Sequence, residues 1–199
     1  MSGEGTSGPA VNGPGVNGPG VNGPRVVASI PDVVFADGSR AAVDVVLDSE
    51  PAPDADVFAA LVMIEDAEGS FALVYSPRRA EWASPGGYRE PGERVRETVV
   101  REVLEETGLL LDEAALLPCG YERFRPLTPG RWPREGGCLQ VFRTRVPTVR
   151  PPLAAAEDDV VDHRWVGLEQ FESLCGEAFW WPLAAALLRP PGATARGRG

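Results

Sequence analysis

Residues 87–109 read GYREPGERVRETVVREVLEETGL, and the reading of the whole chain turns on them. Positions 92–107 have helical character, and Gly108 supplies the left-handed stop that ends a helix. Val95, Val99 and Val103 recur at four-residue intervals and form one apolar stripe. On that helix Glu102, Glu105 and Glu106 span an arc of about 100°. Carboxylates so close repel one another unless a cation lies between them, and an all-oxygen set suits hard Mg²⁺, with Mn²⁺ able to substitute. The alternative is a solvated acidic face. Against it, Glu106 lies within ~20° of Val95 and Val99, so its charge runs along the stripe to be buried. That is costly unless the carboxylate is paired or bound to a metal.

Neighbouring residues extend the pattern. Arg101 stands one turn after Glu97 and beside the acidic trio, which points to a role in pairing with a carboxylate and orienting it. Glu93, at the mouth of the helix, can accept backbone N–H groups there or bond to a ligand of the metal. Gly86 and Gly87 follow Pro85. Without Cβ atoms they permit a tight turn and a close approach of backbone to phosphate.

Upstream, DVVF and AAVDVVL flank an Asp37-Gly38 turn and read as a hairpin within residues 25–50. Residues 57–76, VFAALVMIEDAEGSFALVYS, read as two strands around a turn at Ala67-Glu68-Gly69. Downstream, strands are expected near 117–125, 138–146 and 160–166. Leu168 to Leu188 reads as one or two amphipathic helices broken around Gly176 and Pro182. Strands with one inserted helix and another at the end give an α+β class, a mixed sheet flanked by helices.

The ends differ in kind. Residues 1–24 contain the repeat VNGPG-VNGPG-VNGP, with little to bury and with Pro and Gly opposing regular structure. They are expected to be a disordered tail, as are residues 189–199, leaving 25–188 as the folded domain.

Composition sets further bounds. The 199 residues carry a net charge of −10, without the basic footprint of a nucleic-acid binder. No apolar run has the ~18–20 residues of a membrane helix, and no signal peptide is evident at the N-terminus, so a cytoplasmic location is expected. Cys119, Cys138 and Cys175 have no CxxC spacing and read as small buried thiols. Every basic residue except His163 is arginine, as GC-rich bacterial coding would produce, so any mechanism needing a lysine is excluded. One histidine and no GxSxG leave a serine-hydrolase triad without support. A calcium loop would need alternating ligands around a Gly, whereas these carboxylates lie on a helix.

The nine residues Gly87, Glu93, Arg101, Glu102, Val103, Glu105, Glu106, Gly108 and Leu109 match the Nudix pattern G-x5-E-x7-R-E-U-x-E-E-x-G-U at every fixed position, U being a bulky aliphatic. The stretch Trp82 to Gly87 resembles the family's W-x-x-P-G-G lead-in, and residues 158–171, DDVVDHRWVGLEQF, resemble its closing segment. From roughly Val57 to Leu188 the chain looks like a Nudix hydrolase. That resemblance implies an α/β/α sandwich with the box as strand-loop-helix. It implies Mg²⁺ on Glu102, Glu105 and Glu106, and water attacking a pyrophosphate of a small nucleotide substrate. The general base it implies is Glu105 or Glu102, or a loop carboxylate among Glu157, Asp158 and Asp159.

Substrate signals conflict. The P-G-G lead-in resembles members acting on nucleoside triphosphates. The N-terminal hairpin resembles the extra strands of ADP-ribose enzymes, where they help form a homodimer, and Pro126 falls near a proline associated with that specificity. Trp132, Tyr121 and Phe124 are candidates to stack on a base, or else pack the core. The competing reading is a non-catalytic Nudix-fold module that senses a nucleotide. Such modules typically lose box carboxylates, and all are present here.

Overall fold

The computed structural model describes residues 23–77, 79–155 and 162–189. The expected tails therefore lie almost wholly outside the described residues, as do Glu157, Asp158 and Asp159. The chain forms β1 (Arg25–Val34), β2 (Arg40–Leu47), β3 (Val57–Glu65), β4 (Phe71–Ser76), β5 (Glu81–Ala83) and β6 (Gly86–Tyr88). Helix α1 (Val95–Thr107) follows, then β7 (Leu117–Pro126), β8 (Gly137–Arg145), β9 (Asp162–Val166), α2 (Leu168–Cys175) and α3 (Trp181–Leu188).

The nine strands make one mixed sheet in the order β1-β2-β7-β8-β3-β4-β5, with β6 also paired to β3 and β9 to β4. The β3–β8 pair is parallel, from Val57 opposite Cys138 to Glu65 opposite Arg145. All the other pairings are antiparallel. Strand side chains alternate between faces, and the two apolar layers follow that alternation. Val43, Val45, Met63, Leu73 and Val141 pack with Phe171 of α2 and with Trp181 and Leu183 of α3. Val46, Val62, Ile64, Ala72 and Phe142 pack with Val95, Val99 and Val103 of α1. The sheet is thus sandwiched between α1 and the α2–α3 pair. Val99 and Val103 are fully buried, and each such burial stabilises by about 1.5–3 kcal/mol.

Both expected hairpins form. Gly38 takes φ +81°, and its N–H donates to Phe35 O at 2.9 Å. In the second turn the buried Asp66 carboxylate accepts the N–H groups of Glu68 and Ser70, each at 2.8 Å. All three cysteines are free and buried.

Three local expectations change. Helix α1 begins at Val95 rather than 92, because Gly92 is left-handed at φ +87° and Arg94 is extended. Pro182 does not interrupt a helix; it sits in the first turn of α3, where its missing N–H is no loss. The break expected around Gly176 is present, between Cys175 and Trp181. Gly86 and Gly87 belong to a strand rather than a turn, opposite Leu61 and Ala60.

Candidate functional site

Gly86 and α1 meet because each lacks an obstacle. At φ +148° Gly86 lies so close to β3 that a Cβ would stand 2.4 Å from Ala60 O and Leu61 Cα. Its N–H donates to Glu106 Oε2 at 2.8 Å. The Glu106 side chain, on a residue 6% exposed, is therefore drawn off the valine stripe onto a backbone donor. Gly87 leaves space for the next carboxylate, since a Cβ there would meet Glu102 Cδ at 2.4 Å. The side chains of Glu102 and Glu106, one turn apart on α1, are thus held at adjacent residues of β6.

Arg101 bridges the remaining carboxylates. Its Nε donates to Glu93 Oε1 at 2.7 Å, and its Nη1 donates to Glu102 Oε1 at 2.8 Å and Glu105 Oε2 at 2.9 Å. Nη2 donates to Tyr88 O at 2.9 Å, tying α1 to the end of β6. Glu97 instead engages Arg94, accepting its backbone N–H at 2.7 Å. Glu93 also accepts Glu90 N–H at 3.0 Å and Thr98 Oγ1 at 2.8 Å. The hydrogen bond from Arg101 comes first among the causes that hold the Glu93 carboxyl down at about 2, and burial opposes it. The same partner raises Arg101 well above the ordinary arginine range. With the guanidinium across Glu93, Glu102 and Glu105, no three acidic, His or Cys side chains among the described residues gather around one cation position.

Beside Gly86 and Gly87 opens a cavity of about 150 Å³, walled by Phe35, Phe58, Phe124, Trp132 and Phe179. Phe35 meets Trp132 edge-on with ring centroids 4.8 Å apart. Of the aromatics considered for base stacking, Phe124 and Trp132 line this cavity, whereas Tyr121 packs in the apolar layer on the α1 face. Tyr121 and Phe124 differ by an odd number of positions on β7, so they point to opposite faces.

Sequence reasoning missed three polar groups here: Arg79, Glu81 and Glu122. Glu122, on β7 and 2% exposed, is the more unusual. Burial pushes its carboxyl up to about 8, and the neighbouring charge of Glu81 adds to the effect. Glu81 is itself raised by burial, opposed by Arg79. An acidic residue in an apolar strand position was the available signal. His163 lies on β9 and hydrogen-bonds through Nε2 to Leu153 O at 2.7 Å.

The Nudix domain model matches residues 56–190, more than half of the chain, and the protein belongs to the Nudix family. Over 39 residues it is 51% identical to the uncharacterized Nudix hydrolase YvcI of Bacillus subtilis, a match spanning 20% of this chain and 25% of that protein. Among solved structures it is similar to a bifunctional NMN adenylyltransferase/ADP-ribose pyrophosphatase of Francisella tularensis complexed with AMP and a manganese ion. That likeness has a TM-score of 0.51 at 23% identity and covers 69% of this chain and 42% of the other. A MutT protein of Methanosarcina mazei aligns with a TM-score of 0.45 at 17% identity, over 67% of this chain and 96% of that one. The first of these structures supports the fold. No helix among the described residues is long and apolar enough to cross a membrane.

Proposed function

We propose that the chain is a pyrophosphohydrolase that cleaves a nucleoside diphosphate linked to another moiety, giving a nucleoside monophosphate and a phosphorylated or pyrophosphate product. The observation that carries this reading is the seating of Glu106 on Gly86 N–H and of Glu102 against Gly87. It puts acidic oxygens beside the two glycines that line the aromatic cavity.

Glu102, Glu105 and Glu106 are the residues to hold Mg²⁺, or Mn²⁺ in its place. All three offer carboxylate oxygens from one helix, the ligand chemistry a hard cation takes, and a cation there would replace the Arg101 Nη1 hydrogen bonds to Glu102 and Glu105. When bound, the cation supplies positive charge that offsets the phosphates and the departing oxygen.

The remaining tasks fall to the chain itself. Glu105, with its side chain 30% exposed against 13% for Glu102, is better placed to take a proton from the attacking water. Arg101 and Glu93 are positioning residues: their ion pair fixes the start of α1 relative to β6. Gly86 and Gly87, which line the adjoining cavity, are the backbone assigned to the phosphates.

The test is a hydrolysis screen with Mg²⁺ over (d)NTPs, ADP-ribose, nucleotide sugars and dinucleoside polyphosphates, measuring phosphate and nucleotide products. At least one substrate is expected to turn over and to stop doing so in EDTA. Turnover of none, or turnover indifferent to EDTA, overturns the reading.

A further inference from the structure

Two residues that line the aromatic cavity, Arg79 and Trp132, carry hydrogen-bond donors with no acceptor. Nε and Nη2 of Arg79 and Nε1 of Trp132 are buried and have no hydrogen-bond partner among the described residues. Glu81 Oε1 lies 3.7 Å from Arg79 Nε, near enough for an ion pair and too far for a hydrogen bond. A buried donor left unpaired costs about 1–3 kcal/mol, so these atoms lower the energy of whatever supplies acceptors to them.

The two arginine atoms are not scattered. Nε and Nη2 form one side of the guanidinium fork, whose parallel N–H groups match two adjacent acceptors in a plane. The walls specify the rest of the ligand. Phe35, Phe124, Trp132 and Phe179 offer ring faces and edges, which favour a flat group over a tetrahedral phosphate. Arg79, Glu81 and Trp132 also line a second cavity of about 260 Å³, so the fork lies between two spaces rather than at a dead end.

We propose that Arg79 and Trp132 select the base of the nucleotide, and that the base is guanine. Guanine presents O6 and N7 as adjacent acceptors, which an arginine fork binds as a pair. Adenine offers N7 beside a donor amino group and would leave one arginine N–H facing another donor. Guanine also carries ring and amino N–H groups, and Glu81 and Glu122 bring carboxyl oxygens to the same cavity. Trp132 reaches the cavity because Gly130 makes way for it: a Cβ on Gly130 would stand 2.4 Å from its Cζ2. Glu122, protonated at neutral pH, adds a carboxyl without adding charge.

This inference rests on the nucleotide-hydrolase reading for its ligand class, and its test is separate from turnover. Calorimetric titration without metal compares GMP, AMP, 7-deaza-GMP and ribose 5-phosphate. GMP is expected to bind about tenfold or more tighter than the other three, the worth of one bidentate base contact. Arg79→Lys keeps the charge and loses the fork, and is expected to bring GMP down to the level of AMP with an unchanged melting temperature. Trp132→Phe is expected to weaken GMP while the variant still unfolds in a single cooperative melt. AMP binding as tightly as GMP, 7-deaza-GMP matching GMP, or no nucleotide binding at all overturns the proposal. Selective GMP binding without hydrolysis of any substrate would support it while overturning the enzymatic reading.

Discussion

Glu106 Oε2 accepts the backbone N–H of Gly86 at 2.8 Å, joining α1 to β6 across twenty positions of sequence. The bond accounts for a charge that the apolar stripe alone would not tolerate, and it fixes the separation of the acidic helix from the glycine strand. Glu106→Gln keeps an oxygen able to accept that N–H and removes the negative charge. The variant is expected to melt within a few degrees of the parent and to lose about 100-fold or more in turnover. Parallel thermal melts and kcat measurements check this, and an undiminished kcat removes Glu106 from the metal set.

The two glycines should respond differently to a methyl group. In Gly86→Ala the new Cβ meets backbone atoms Ala60 O and Leu61 Cα at 2.4 Å, with φ at +148°. Strand pairing must give way, so a loss of about 2–4 kcal/mol in urea unfolding is expected. In Gly87→Ala the obstacle is the end of the Glu102 side chain, which can rotate. That variant is expected to remain folded while kcat falls at least about tenfold.

Arg101→Gln tests the positioning pair. Glu93 has a side chain 14% exposed and would keep Thr98 and Glu90 as partners without its strongest one. A loss of about 1–3 kcal/mol at pH 7 is expected. The Glu93 carboxyl sits at about 2 when folded, below its ordinary 4.5. Its contribution is present above pH 4.5 and is lost as the pH falls through that value toward 2. The gap between parent and variant should close over the same range in pH-dependent urea unfolding.

Glu122 has the opposite sign. Its folded value near 8 lies above the ordinary 4.5, so its contribution is full below pH 4.5 and is lost as the pH rises toward and through 8. At roughly 1.4 kcal/mol per unit, the change is on the order of several kcal/mol. Glu122→Gln should remove that slope, making the variant the relatively more stable protein at pH 8. Unfolding at pH 5 and pH 8 measures the difference between the two proteins, and an equal difference at both pH values refutes the assignment.

Regular patterns made much of this architecture readable from the chain. Val95, Val99, Val103 and Gly108 announced α1, and the apolar runs flanking the Asp37-Gly38 and Ala67-Glu68-Gly69 turns announced the hairpin strands. Pro182 misled because a proline marks the first turn of a helix as readily as its interruption. Strands β5 and β6 are three residues each, too short for any period, and exist because β3 and β4 offer partners. Around the site, the glutamates of the box were evident from spacing. Arg79, Glu81 and Glu122 were not, and Trp132 was a candidate whose neighbours could not be read, since residues so far apart come together only through the order of strands.

The parallel pairing of β3 with β8 constrains how the protein can be divided. Strand β3 lies within the sheet, and its full-length neighbour arrives only at Gly137–Arg145, after the acidic helix. A fragment ending after that helix would carry every box glutamate yet expose the apolar edge of β3, an open template for intermolecular association. Such a fragment is expected to aggregate rather than serve as a miniature of the whole.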